Sequence, residues 1–363
     1  MKLDNIQIQH FRNLQNVVLC PSPSINIVTG KNGSGKSSLL EAIHYLGFGR
    51  SFRTTKHRSV IQHQQEKFTV FAQCSVDKSD FKVGISKFLN DDTVVSVDGT
   101  KSGKISDLVS LVPLQIFTPQ SSDIVVGSPK LRRMYLDWGL FHVEQSFLSL
   151  SKGYSRSLKH KNALLRSHKV DLHHEEQNRY WDMELDRLAQ EISDLRENFL
   201  SRLKEYIYSN LRQFLPEFSL EISYYRGWEK GLTLGESLGK NYIRDKKNGF
   251  SSVGSHKADL KLKLDGMPAS ELMSRGQLRM LMAALQLAQT QLLYSELGRS
   301  CVFLLDDVGA ELDALKRELF VDGLLESNSQ LFVTAIEQQQ IEFTKKYKYK
   351  KVFHVEHGQV KEE

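Results

Sequence analysis

The stretch GKNGSGKS, Gly30–Ser37, constrains this chain more than any other. It fits the pattern G-x-x-x-x-G-K-[ST]. The segment before it, Ile25–Thr29, reads as a buried strand, and the segment after it, KSSLLEAIHYLGFG, reads as a helix ending at Gly47 or Gly49. Strand, glycine-rich loop and helix in that order are the context that makes the pattern a P-loop. The glycines let the loop turn its N–H groups toward an anion at the start of the helix, where the helix dipole also favours negative charge. Gly30, Lys31, Asn32, Gly33, Ser34, Gly35 and Ser38 are expected to line this cradle. Lys36 is expected to reach the β- and γ-phosphates of a nucleotide, and the Ser37 hydroxyl to bind Mg²⁺. A P-loop requires an α/β fold with the loop at the end of a strand.

The rest of the chain fits such a fold, with one interruption. The N-terminal segment reads as a strand, a turn and a second strand. From Lys67 to Val97 short alternating strands follow one another, and VDGTKSG forms a hairpin-type turn. At Pro129 the character changes, and strand signals almost vanish until about Phe214. Trp181, Leu185, Leu188, Ile192, Leu195 and Phe199 recur at alternating spacings of four and three, continued approximately by Leu203 and Tyr206. Such a stripe marks a long helix. SHKVDLHHEEQ, between two helical stretches, reads as a hairpin loop. Strand patterns resume after Pro216 in FSLEISYYRGW and DLKLKLDGM. They are followed by a helix from Ser274, the strand CVFLLDDV, a helix over Ala314–Leu325, the strand QLFVTAI and a last hairpin KVFHVEHGQVK. The expected organisation is an α/β head over 1–128, a helical arm over 129–215 and the second part of the head over 216–363. A length of 363 residues, 40% of them hydrophobic, suits two such domains.

The strand CVFLLDDV is apolar until it ends in two carboxylates. Burying paired anions costs several kcal/mol unless something compensates them, and a Mg²⁺–phosphate group would do so. Asp306 therefore fits the metal-side carboxylate of a Walker B strand, and Asp307 stands where a carboxylate could polarise an attacking water. Asp313 can cap the helix that begins near Ala314. Some 240 residues after the P-loop, Ser274–Arg275–Gly276–Gln277 heads another helix, with Met280, Leu281, Ala284, Leu285 and Ala288 on one face. This is a second capped, anion-ready helix start in a chain whose P-loop already serves one phosphate cluster.

These features together resemble the RecF family, within the SMC/Rad50-like ABC ATPases. The resemblance is carried by IQHFRNL, TGKNGSGKSSLLEAI, GRSFRT at Gly49–Thr54, SRGQLRMLMAALQLAQ, LLDDVGAELD and VFHVEHGQV, and it spans nearly the whole chain. It implies an ABC-type head with a short helical arm, ATP and Mg²⁺ as ligands, and further roles for named residues. Arg12 and Asn13 would approach nucleotide. Gln120, in FTPQSSD, would be the Q-loop residue near Mg²⁺ and the attacking water. Ser274–Gln277 would be a signature motif closing on the nucleotide held by a second copy, and Asp313 the D-loop. Thr334 stands where transporter-type ABC proteins carry His, and Asp307 where many carry Glu. Both departures suit a slow switch. The family's biology adds an ATP-dependent head-to-tail homodimer that clamps DNA at single-strand gaps and duplex junctions. It also adds cooperation with RecO and RecR in loading RecA against single-strand-binding protein, in repair, replication maintenance and the SOS response.

Charge supplies a weaker pointer to DNA. The formal net charge is +6, but between Lys130 and Lys169 nine basic residues face two acidic ones. Arg132, Arg133, Arg156, Lys159 and Lys161 belong to this segment, which reads either as a phosphate-binding face or as a solvated helix face. KKYKYKK, Lys345–Lys351, reads as a solvated turn. His256, in GSHKADLKL, reads as a buried or turn-capping His. No apolar run approaches the ~18 residues of a membrane span, and no secretory h-region opens the chain. The three scattered cysteines suit a reducing cytoplasm. A transporter ATPase subunit is disfavoured by HFRN and by the helical insertion. An ABC-fold nuclease regulator would need a further acidic nuclease domain. A binding module with vestigial hydrolysis is left open.

Overall fold

A computed structural model of the chain describes residues 1–76, 79–167, 172–307, 309, 312–335 and 338–363. Contacts divide it into two units. One comprises Met1–Ser122, Gln213–Leu215 and Arg275–Glu363, the other Asp123–Arg212 and Pro216–Ser274.

In the first unit two six-stranded sheets are present. One is mostly parallel. Its strands run in the order Gln359–Glu362, Lys350–Glu356, Ile25–Thr29, Gln330–Thr334, Val302–Leu305 and Leu114–Phe117. Only the Gln359–Glu362 pairing is antiparallel. Its central strands are apolar on both faces, as a covered parallel sheet requires. The other sheet is antiparallel and begins with the hairpin Lys2–Phe11 and Leu14–Leu19. Its expected hairpin turn is present at Asp98–Gly99, both with positive φ, as a two-residue turn requires. The helix Lys36–Phe48 is buried along most of its length. Leu39, Leu40, Ala42, Ile43 and Leu46 share a core with residues from strands of both sheets. Gly49 ends it in the left-handed conformation, with its N–H on Tyr45 O at 2.8 Å.

In the second unit the helices Pro129–Val143, Phe147–Arg166 and Leu172–Phe214 are accompanied by a three-stranded antiparallel sheet of Glu221–Tyr225, Asp259–Leu264 and Met267–Pro268. The stripe on the long helix is buried at Leu185, Leu188, Ile192, Phe199 and Leu203, but then shifts from Tyr206 to Ile207. A helix turning every 3.6 residues drifts away from a 3.5-residue stripe. Leu172–Gln177 belong to this helix rather than to the hairpin loop expected at SHKVDLHHEEQ. Glu175, in the first turn, suits the positive end of the helix dipole. Residues 168–171 of that expected loop, including Lys169 of the basic segment, lie outside the described residues.

The boundary expected at 215/216 does not divide the contacts. Residues 216–274 group with the helices of the arm, and the head resumes at Arg275. One reason lies in the segment GSHKAD, gripped from three helices of the arm. Arg132 forks onto Asp259 at 2.7 and 3.1 Å, and Arg133 donates to Ala258 O at 2.6 Å. Arg196 donates to Ser255 O and Oγ, and Tyr154 Oη donates to His256 Nδ1 at 2.8 Å. His256 is mostly buried, its Nε2 meets Ser251 O at 3.1 Å, and burial pushes its pKa down to about 4. It is therefore a neutral structural His, as the bland sequence reading has it.

Candidate functional site

Four neighbouring parallel strands present their C-terminal ends together, which is where open α/β sheets bind ligands. Ile25–Thr29 leads into the P-loop, Gln330–Thr334 ends in Thr334, Val302–Leu305 leads to Asp306–Asp307, and Leu114–Phe117 leads to Gln120. A cleft of about 700 Å³ lies there. It is lined by Asn32, Gly33, Gly35, Lys36, Ser37 and Ser38, by Gln120, Asp306, Asp307 and Thr334, and by Phe52, Arg53, Pro119 and Ala335. Residues spread over some 300 positions of sequence thus meet in one place.

The P-loop needs its glycines in two senses. Gly30 and Gly35 take φ of +142° and +124°. A Cβ on Gly30 would stand 2.4 Å from Val355 O, and one on Gly35 would stand 2.9 Å from Asn13 Nδ2. Asn13 donates its amide to Ser34 O at 2.9 Å, and the Gly358 N–H donates to the same oxygen at 3.0 Å. Asn13 therefore braces the loop from behind and is not among the residues lining the cleft.

Lys36 is buried, and its Nζ donates to Gly30 O at 2.6 Å and Lys31 O at 3.0 Å. Burial lowers its pKa, and the nearby Asp306 and Asp307 oppose that shift. The Ser37 hydroxyl donates to Asp306 Oδ1 at 3.2 Å, and Thr334 Oγ1 donates to the same oxygen at 2.9 Å. Thr334 Oγ1 also accepts the Asp307 N–H at 2.8 Å. Thr334 thus holds both carboxylate residues in register. Asp307 has φ +56°, a left-handed conformation that Asp and Asn tolerate best among residues with a Cβ. Its pKa is raised, first by burial and then by Asp306, with Lys36 pulling the other way. The hydroxyl of Ser37 and the carboxylate of Asp306 form a hard-oxygen donor pair of the kind Mg²⁺ prefers, next to the phosphate cradle.

Two expectations change. Arg12, expected near nucleotide, forks onto the buried Glu41 at 2.5 and 2.8 Å and does not line the cleft. The expected DNA cations Arg132, Arg133 and Lys161 are engaged inside their own unit. Arg132 pairs with Asp259, and Arg133 donates to Ala258 O. Lys161 is almost wholly buried, 2.5 Å from Asp182 and 2.7 Å from Asn178. These three are engaged within the arm and offer no free charge; for the buried Lys161 a nearby anion is a requirement. Arg156 and Lys159 are exposed. With Lys152 they follow one another at i, i+4 and i+7 on the helix Phe147–Arg166, beside Ser151 and Ser155 in a shallow groove of about 390 Å³.

Ser274, Arg275 and Gly276 are exposed at the start of the helix Arg275–Leu297, and space is open around Gly276. Arg275, Gly276 and Gln277 belong to the same unit as the cleft yet are not among its lining residues. Asp313 caps the helix Ala314–Glu326 by accepting the Lys316 N–H at 2.9 Å, and its side chain is exposed. In the terminal lysine-rich segment, Lys345 and Lys346 pair on the surface, with Glu342 and with Glu318 and Asp322 respectively. Phe52, Arg53, Pro119 and Ala335 line the cleft without any expectation from the sequence. For Phe52 and Arg53 the GRSFRT segment is the available signal.

Residues 2–361 match the family described as RecF/RecN/SMC N terminal domain. The chain is 61% identical over 363 residues, the whole of both chains, to the DNA replication and repair protein RecF of Pseudoalteromonas atlantica. It is 42% identical over 341 residues, 94% of each chain, to the RecF of Actinobacillus pleuropneumoniae serotype 3. Among solved structures it resembles the recombination mediator protein RecF with ATP in the RecFOR pathway. The TM-score is 0.87 at 27% identity, covering 100% of this chain and 97% of that one. A likeness to an Smc head bound to the winged-helix domain of ScpA, at TM-score 0.60 and 14% identity over 100% and 97% of the two chains, extends the fold to SMC heads.

Proposed function

The chain belongs to the RecF family of SMC-like ABC ATPases, and on that premise we propose that it is an ATP-switched DNA-binding protein of recombinational repair. The observation that carries this reading is the cleft. P-loop, Walker B carboxylates and Gln120 converge in one chain, while the helix start at Arg275–Gln277 stays outside that cleft, with Arg275 and Gly276 exposed. The P-loop N–H groups and Lys36 bind the phosphates. Ser37, Asp306 and Gln120 would hold Mg²⁺, which supplies charge neutralisation at the phosphates. Asp307, one residue further, orients water and takes its proton. Ser274–Gln277 and Asp313 complete the site of a second copy, so two chains associate head to tail around two nucleotides. The closed dimer clamps DNA at gaps and duplex junctions, and slow hydrolysis releases it. This places the protein in the cytoplasm with RecO and RecR, helping RecA to load during repair, replication maintenance and SOS induction.

The test is assembly. ATP is expected to shift the protein from monomer to dimer in analytical ultracentrifugation, and DNA to strengthen the shift. Ser274→Arg places a bulky cation at the open helix start. It is expected to leave ATP binding by the monomer unchanged and to prevent the dimer. A normal ATP-driven dimer in that variant would overturn the trans-signature role.

The DNA face is tested separately. Converting Lys152, Arg156 and Lys159 together to Glu is expected to weaken DNA binding. It should also make the slope of log affinity against log salt shallower, by about one for each phosphate that is no longer neutralised. An unchanged slope, measured by fluorescence anisotropy across a salt series, would place the DNA elsewhere.

A further inference from the structure

Arg12 lies in the turn between the first two strands and does not line the cleft, yet it is the first member of a hydrogen-bond chain that ends at the cleft wall. Glu41, on the helix Lys36–Phe48, is wholly buried. Its Oε2 accepts from Arg12 Nε at 2.5 Å and lies 3.6 Å from Arg53 Nη1. Its Oε1 accepts from Arg12 Nη2 at 2.8 Å and from Ser51 Oγ at 2.5 Å. An ionised carboxylate only accepts, so the Ser51 hydroxyl must donate here. The Ser51 oxygen then accepts the N–H groups of Arg53 at 2.9 Å and Thr54 at 3.0 Å. Those two bonds form a side-chain-closed turn over Ser51–Thr54. The two residues carried on that turn, Phe52 and Arg53, line the cleft. The inner side of the turn is fixed as well. His44 Nδ1 meets Arg50 O at 2.8 Å, and its ring stacks on Phe48 and meets Phe52 edge-on at 5.2 Å.

We infer that Arg12, Glu41 and Ser51 are positioning residues that form a relay setting the Phe52–Arg53 wall of the nucleotide cleft. ATP affinity then depends on three groups that do not line the cleft. The guanidinium alone would neutralise the buried carboxylate. The Ser51 bond adds what neutralisation does not need, a fixed hydroxyl direction that frees the oxygen to shape the turn. The relay also ties the N-terminal hairpin, through Arg12, to the cleft. It rests on the nucleotide reading proposed above.

Ser51→Ala cuts the relay while leaving the Arg12–Glu41 pair intact. In an equilibrium titration of the full chain with a fluorescent ATP analogue, it is expected to weaken binding about tenfold, the effect of removing one charge-assisted bond. Its melting temperature should stay within about 3 °C of wild type. Glu41→Gln should weaken binding at least as much, and the double variant should bind no worse than Glu41→Gln alone, because both act through one chain of hydrogen bonds. Should Glu41→Gln fail to fold, Ser51→Ala decides alone. Wild-type affinity in Ser51→Ala, or effects that multiply in the double variant, would overturn the relay. Lys36→Met in the same titration separates the two readings. Weakened binding there with none in Ser51→Ala overturns the relay only, and unchanged binding in both overturns the nucleotide site itself.

Discussion

Lys36→Met is expected to weaken ATP binding by about 100-fold or more and, with it, to abolish ATP-dependent DNA binding. Methionine keeps the length and much of the packing of the lysine stem but removes its charge and all three donors. Three effects follow from the geometry. The phosphates lose a cation that burial has already stripped of much of its water, so its hydrogen bonds are stronger than those of a surface lysine. The carbonyls of Gly30 and Lys31 lose their donor. Asp306 and Asp307 lose a neighbouring positive charge, so their mutual repulsion is less opposed. The last two act without nucleotide, and there the relief of a charge that burial disfavours opposes them. Titration with a fluorescent ATP analogue reads the first effect, and anisotropy of labelled DNA with and without ATP reads the consequence. Unchanged nucleotide affinity would remove Lys36 from the phosphate site.

How much of this is legible in the sequence depends on how local each signal is. The P-loop is eight consecutive residues, and the Walker B carboxylates end an uninterrupted apolar strand. Both patterns state their own context, and both contribute to the cleft: Asn32, Gly33, Gly35, Lys36 and Ser37 of the P-loop line it, whereas Gly30, Lys31 and Ser34 do not, and Asp306 and Asp307 line it as well. The direction of a cation is not local. Arg12 meets Glu41 29 positions away, and Arg132 meets Asp259 127 positions away, so a count of charges along the segment could not show that these are internal pairs. The same blindness explains the boundary near Pro216. What ties residues 216–274 to the arm are contacts such as Arg196 with Ser255 and Tyr154 with His256, which leave no periodic trace in either partner. The helix Leu234–Asn248 escapes the sequence reading for a different reason. It buries only Leu234, Ser237, Leu238 and Asp245, too little for an apolar stripe. Its ends are readable. Thr233 and Glu236 form a full capping box and Gly249 closes it in the left-handed conformation.

Asp307→Asn is expected to slow ATP hydrolysis by about 10²- to 10⁴-fold, the usual contribution of a general base, while ATP still binds and the ATP-bound dimer persists. Asparagine suits the position for three reasons. It has the same shape, it tolerates the φ of +56°, and its backbone N–H can still donate to Thr334 Oγ1. Alanine would confound the result with backbone strain. Burial and Asp306 raise the pKa of Asp307, so the folded protein disfavours its ionised form relative to the unfolded chain. At neutral pH the wild type therefore carries a destabilising charge that the variant lacks, and the variant should melt higher. That advantage should fade as pH falls through the raised pKa and vanish below the ordinary carboxylate range, where both forms are neutral. Turnover within tenfold of wild type would pass the base's role to another group, with Gln120 and solvent the next positions to test.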